Sequence, residues 1–155
     1  MSEPRILIIG YGNPLRSDDG VGPRAAQLLG ECCGDDRITI VACHQLTPEL
    51  APAIAEAGHL ILLDAEMGGE PGHICRRELT PAPASNSILS HAIDARGLLA
   101  IAQLLYEHAP PTTLFTVSGG SFALGDALTP PVEAALPLLL ASVREIIGSP
   151  TLRAP

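Results

Sequence analysis

The chain contains no lysine; all nine of its basic residues are arginines. That absence excludes Schiff-base chemistry, a Ser-Lys dyad and a phosphate-binding P-loop, each of which needs the lysine amine. Positive charge is scarce altogether: 17 acidic residues face those nine arginines, the net charge is −8, and no basic cluster occurs. Phosphate backbones and anionic membrane surfaces would be repelled, so neither nucleic acid nor membrane is expected as a partner. The four cysteines, Cys32, Cys33, Cys43 and Cys75, form no C-x-x-C spacing. An adjacent pair such as Cys32-Cys33 suits neither a zinc knuckle nor a disulfide framework, and reduced, mostly buried thiols are expected. No apolar stretch reaches the roughly 18–20 residues that span a bilayer. The opening Met1-Ser2-Glu3-Pro4-Arg5 leads directly into a short strand-like run, without a secretory apolar region or cleavage site. These features predict a soluble, cytoplasmic protein.

What the chain does have is apolar residues in short runs. It is 155 residues long, 46% hydrophobic and 17% charged, which predicts one folded domain over residues 1–155 rather than disorder. Residues 5–10, 37–43, 59–63 and 112–117 read as strands of a buried sheet, the third ending on Asp64. A shorter strand at an edge or in a hairpin is expected over 71–78. Helices are expected over 20–29, from a Thr47-Pro48-Glu49 start to about 57, from His91 or Ala92 to about 107, and from Thr129-Pro130-Pro131 to about 147. In the third, Leu98, Ile101, Ala102 and Leu105 share a face; in the last, Val132, Leu136, Leu139, Val143 and Ile146 do. Pro137 should kink that last helix. Residues 80–87 read as an exposed loop. Strands alternating with helices predict an α/β fold, a three-layer sandwich with a mostly parallel sheet and helices on both faces.

The candidate chemistry gathers where strands end. Ile6-Leu7-Ile8-Ile9 empties into Gly10-Tyr11-Gly12-Asn13, and Asp18-Asp19-Gly20 follows just before a helical pattern. Ligands of open α/β sheets bind at the carboxyl edge, where these residues would stand. A dinucleotide site fits poorly: the third glycine of G-x-G-x-x-G is replaced by Leu15, and no acidic residue clearly closes the second strand. Asp18 or Asp19 could be a helix cap, and both roles could coexist, with Asp18 capping and Asp19 projecting over the sheet edge. Asp64 closes a buried strand, where a carboxylate is costly unless paired, hydrogen-bonded or bound to a cation. His91 follows Ser90 at an expected helix start, which would keep its ring neutral, the form that binds metal. His44, His59, His73 and His108 fit no such pattern and read as structural. Ser118-Gly119-Gly120-Ser121 lacks the G-x-S-x-G elbow of serine hydrolases and reads as a turn. No cysteine sits in a recognisable electropositive turn.

The run Gly10-Tyr11-Gly12-Asn13-Pro14-Leu15-Arg16-Ser17-Asp18-Asp19-Gly20-Val21-Gly22 resembles the opening motif of the hydrogenase maturation peptidases, G-x-G-N-x-L-x-x-D-D-G-x-G. Asp64-Ala65, Gln45 to Leu50, and Ser118 to Pro130 resemble later segments of the same family. The resemblance implies an endopeptidase that trims the C-terminus of the nickel-loaded large-subunit precursor of a nickel-iron hydrogenase. It implies that Asp19, Asp64 and His91 are the catalytic and metal-binding residues, and that Gly10, Gly12 and Asn13 shape the loop presenting Asp19. The metal would be the nickel of the substrate; two carboxylates and an imidazole would also suit zinc or another divalent cation in the isolated protein. A non-cleaving nickel-sensing binding protein or chaperone for hydrogenase assembly would use the same residues and is the alternative. No large exposed apolar helix face is expected, so the protein is read as a monomer.

Overall fold

Segments rich in Ile, Leu, Val and Thr form the sheet, in a computed structural model that describes residues 4–83 and 93–149. Across it the order is β2 (Ile38–Cys43), β1 (Ile6–Tyr11), β3 (His59–Glu66), β5 (Thr112–Ser118) and β4 (Ile74–Leu79). The first four run parallel, and β4 lies antiparallel to β5 at one edge. The central strands are covered on both faces, which is why Ile6–Ile9 and Leu60–Leu63 are continuously apolar and buried rather than alternating. On the edge strand β4, Arg76, Arg77 and Glu78 are exposed, and such charges discourage pairing with another chain.

The helices divide between the two faces. On one, α1 (Val21–Cys32) and α4 (Pro130–Ile147) pack against Ile6, Ile8, Ile61, Leu63, Phe115 and Val117. On the other, α2 (Ala51–Glu56) and α3 (Ala95–Tyr106) cover Leu7, Ile9, Leu60 and Leu62. Successive strand side chains point to opposite faces, so a single run feeds two cores. The result is the α/β three-layer arrangement expected from the sequence, with a mostly parallel sheet. Among the described residues no helix is long and apolar enough to cross a membrane.

Several expectations shift. The third helix begins at Ala95 rather than at His91 or Ala92, because Asp94 caps it: its carboxylate accepts the Gly97 N–H at 2.7 Å. His91 itself lies outside the described residues. Strand β3 continues past Asp64, since Asp64, Ala65 and Glu66 keep pairing with Thr116, Val117 and Ser118. Thr47 precedes a 3-10 turn, Pro48–Leu50, and makes no side-chain cap. The first helix runs to Cys32, passing Gly30, whose position is open and exposed. Leu105 is 63% exposed at the end of α3, beside exposed Leu104 and Tyr106, instead of completing the apolar face. The cysteines are not buried thiols: Cys32 is exposed at the end of α1, and Cys33, Cys43 and Cys75 are half-buried, all of them free. Helix α4 runs through Pro137, on its exposed side, as one element. Its five predicted apolar positions are all buried.

Candidate active site

Between the end of β1 and the first turn of α1 the backbone has almost no room. A methyl group at Gly22 would meet the Tyr11 backbone, 2.7 Å from its carbonyl oxygen, and also the Leu63 carbonyl. One at Gly10 would run into the Gly22 carbonyl and come within 2.8 Å of Ala26 Cβ. The facing glycines let the start of α1 lie directly on the ends of β1 and β3. Gly12, at φ +143°, makes the turn that any side chain would strain. Asn13 then closes a local turn, its Oδ1 accepting the Leu15 N–H at 2.9 Å. The Asn13 N–H donates to Asp19 Oδ2 at 2.6 Å, which fixes that carboxylate over the crevice. Asp19 Oδ1 makes no hydrogen bond among the described residues.

This loop is not a pyrophosphate cradle. Its N–H groups are already used: Gly12 donates to the Cys43 carbonyl at 3.1 Å, Arg16 to Asn13 at 3.0 Å and Ser17 to Gly125 at 2.9 Å. Two carboxylates also occupy the helix start where phosphate charge would sit.

Asp18 and Asp19, adjacent in sequence, have different partners. Asp18 is fully buried and caps no helix. Its Oδ2 accepts the Gly120 N–H at 2.7 Å, the Ser121 N–H at 3.1 Å and the Thr129 hydroxyl at 2.7 Å, and its Oδ1 accepts the Thr129 N–H at 2.7 Å. Burial alone would raise this carboxyl, but the hydrogen bonds from Thr129, Gly120 and Ser121 outweigh it and hold it below the usual carboxylate range. Asp18 therefore ties the β1–α1 loop to the β5–α4 loop, more than a hundred residues away in sequence. The local capping role gives way to these long-range partners.

Asp64 stands on β3 at the same edge, on the face covered by α2 and α3. Gly10 pairs with Leu63, so Tyr11 and Asp64 follow side by side on neighbouring strands. The Ala65 N–H donates to Asp64 Oδ1 at 2.8 Å, and the Tyr11 hydroxyl lies near enough to the same carboxylate to lower it. These are too few to offset desolvation. Burial, with smaller contributions from the charges of Asp19 and Glu66, pushes Asp64 up to about 6. Burial and the neighbouring Asp64 likewise push the Tyr11 hydroxyl far above its ordinary value. Asp94, the cap of α3, is near enough to add to that rise.

The structure thus brings Asp19 and Asp64 within electrostatic reach at the β1–β3 crevice. In the strand order β2-β1-β3, α1 leaves on one face while α2 and α3 cover the other, the topological switch point at which open α/β sheets bind ligands. Among the described residues no group of three or more His, Cys, Asp or Glu side chains is placed to hold a metal ion. The third expected member, His91, falls outside them; Asp94, three residues further along, lies within electrostatic reach of Tyr11. His59 and His108 serve elsewhere, with Nε2 3.0 Å from Thr113 Oγ1 and 3.3 Å from the Ala57 carbonyl. Among the described residues no histidine ring hydrogen-bonds the hydroxyl of Ser118 or Ser121; His73 meets Ser118 through its backbone carbonyl, which accepts the Ser118 N–H at 2.9 Å. Tyr11 was not singled out from the sequence. The alternation Leu7, Ile9, Tyr11 on one strand and Leu60, Leu62, Asp64 on the next is the signal that pairs them.

No protein-family model matches the sequence. The chain is 33% identical over 150 residues to the hydrogenase 2 maturation protease of Escherichia coli, covering 91% of this chain and 92% of that protein. The solved structure of the hydrogenase maturating endopeptidase HybD from E. coli superposes with a TM-score of 0.73 at 30% identity, over 92% of this chain and 93% of that one. The crystal structure of a hydrogenase 2 maturation peptidase from a Thaumarchaeota archaeon also gives 0.73, at 27% identity over 93% and 98% of the two chains. With a curated relative so similar along nearly its whole length, and the same fold in its solved relatives, the chain belongs to the hydrogenase maturation protease family.

Proposed function

We propose that this protein is a metal-dependent endopeptidase that removes a short C-terminal extension from the nickel-loaded large-subunit precursor of a nickel-iron hydrogenase. The observation that carries the reading is the pair Asp19 and Asp64, held at the sheet edge in a chain of this family. Two carboxylates facing one crevice repel each other, which adds a smaller part to the rise that burial imposes on Asp64. A cation between them would relieve that repulsion, so the donor set fits a divalent ion. On this reading the nickel is part of the substrate, received by Asp19, Asp64 and His91, and the isolated protein would accept zinc or another divalent cation there. Such an ion supplies Lewis-acid polarisation of the scissile carbonyl.

The chain's own groups orient the site. Asn13 holds one oxygen of Asp19 and leaves the other without a hydrogen bond among the described residues. The Ala65 N–H aims the Asp64 carboxylate, and the nearby Tyr11 hydroxyl lowers it. Asp18 keeps the two neighbouring loops in register. The four free cysteines agree with action in a reducing compartment, which we take to be the cytoplasm.

The test is intact-mass spectrometry of the nickel-loaded precursor with and without the protein. A discrete C-terminal mass loss that needs both nickel and protein is expected. An unchanged mass with the two proteins co-eluting would replace the peptidase by the binding-protein alternative.

A further inference from the structure

The face beside the two carboxylates has a second feature that peptide hydrolysis itself does not require. Leu15 is 60% exposed, Leu124 82% and Met67 79%. They lie on the loops that follow β1, β5 and β3, all at the carboxyl edge of the sheet. Leucines this exposed are common singly, but here the loops that bear two of them are locked together. Arg16 and Gly125 form a parallel bridge; Gly125 donates to the Leu15 carbonyl at 3.0 Å, and Ser17 to the Gly125 carbonyl at 2.9 Å. The Ser17 hydroxyl donates to the Ala123 carbonyl at 2.7 Å, and Asp18 anchors both loops from below. The Gly119 N–H ties the second loop to Glu66, the residue before Met67, at 2.9 Å.

We infer that these locked loops form a preformed apolar docking platform, centred on Leu15 and Leu124, for the folded body of the precursor whose tail is cut. The inference rests on the peptidase reading above. Its occupant follows from continuity with the site: Leu15 is four residues from Asp19 on the same loop, so a protein whose chain reaches Asp19 and Asp64 must pass over this surface. Fixing the leucines before contact removes the ordering cost that a mobile loop would add to binding. An open groove of about 940 Å³ continues the face between Pro14, Ser17, Arg24, Asp126 and Glu133, giving the partner a recess beside the platform. Apolar residues held on a rigid surface, and covered by the partner on binding, are where interface energy concentrates.

The experiment measures the dissociation constant of the precursor for the full chain and for Leu15→Asp, Leu124→Asp and the milder Leu15→Ser and Leu124→Ser, each checked for an unchanged melting temperature. Leu138→Asp, at an equally exposed position on α4, is the control. Each aspartate variant is expected to weaken binding at least about tenfold, with the loss in processing appearing in KM more than in kcat, while the control binds as wild type. Wild-type binding by all four loop variants would overturn the platform. An equal loss in the control would overturn it too, since it would trace the effect to charge anywhere on the surface. If the wild type binds without cutting and the loop variants lose binding, the platform stands and the peptidase reading fails. If the wild type neither binds nor cuts, both fail.

Discussion

Two carboxylates at the same end of the sheet, Asp18 and Asp64, are treated in opposite ways. Asp18 is sealed from solvent and accepts four hydrogen bonds, which hold it ionised below the usual range. Asp64 is partly exposed, accepts one backbone N–H with the Tyr11 hydroxyl nearby, and is pushed up to about 6. A carboxylate whose lone pairs are all engaged inside the protein has nothing left for a substrate; it is a joint. One whose charge is poorly compensated is strained in the free protein and gains from an incoming cation. The difference separates the loop that builds the site from the residue that would use it, and it does so although Asp18 sits next to Asp19 in the sequence.

The largest expected effect tests the Asp64 side of that contrast. Asp64→Asn keeps the shape but removes the charge, and processing of the precursor should fall on the order of 10²–10³-fold. Its melting temperature should hold or rise, because a poorly compensated buried charge has been removed. Full processing by this variant would sink the assignment of the carboxylate. Asp18→Ala should do the reverse in kind, costing about 2–3 kcal/mol in urea denaturation because it strips partners from three N–H groups and a hydroxyl. Asp18→Asn, which keeps part of the acceptor set, should cost less; equal stability in both variants and the wild type would mean the clasp is unimportant.

The pH dependence of stability sharpens the same comparison. The folded value of Asp18 lies below its unfolded one, so its contribution is present above about pH 4 and is lost as pH falls further. For Asp64 the sign is opposite: folded protein retains the proton up to about 6 while unfolded chain has released it, so stability declines as pH climbs from about 4 through 6. Urea midpoints measured from pH 3 to 8 should lose that decline, by up to about 2 kcal/mol, in Asp64→Asn. In Asp18→Asn the acid-side loss should shrink instead. Identical profiles in the two variants would dissolve the distinction.

How much of this was legible in the sequence follows from how far each interaction reaches. The continuous runs Ile6–Ile9 and Leu60–Leu63, and the spacing of Val132, Leu136, Leu139, Val143 and Ile146, announce buried strands and a one-sided helix, because burial acts on each element separately. The glycine turn after β1 is similarly local. Asp18 is different: its partners are Gly120, Ser121 and Thr129, and a cap assigned from neighbouring residues takes no account of them. The start of α3 lies at Ala95, past His91 and Ala92, because the Asp94 carboxylate accepts the Gly97 N–H and so caps the helix there. Leu105 kept its helical spacing but ran past the end of the core that would have buried it. Tyr11 was hidden inside a motif read for its glycines.

Tyr11 gives the smallest of the expected effects. Its ring packs with the α2–α3 core and its hydroxyl lies near Asp64, so Tyr11→Phe removes one polar neighbour and little packing. Stability should change by no more than about 1 kcal/mol, since a polar contact at a partly solvated carboxylate contributes modestly. That hydroxyl lowers Asp64 from where burial alone would put it. Without it the carboxyl should titrate above 6, visible in the ¹³C resonance of Asp64 in metal-free protein. Turnover should drop roughly tenfold at neutral pH, as is usual when a ligand's supporting partner is lost, and recover in part at higher pH. An unshifted Asp64 resonance would mean that Tyr11 only fills space, and that the carboxylate is aimed by the Ala65 N–H and its strand alone.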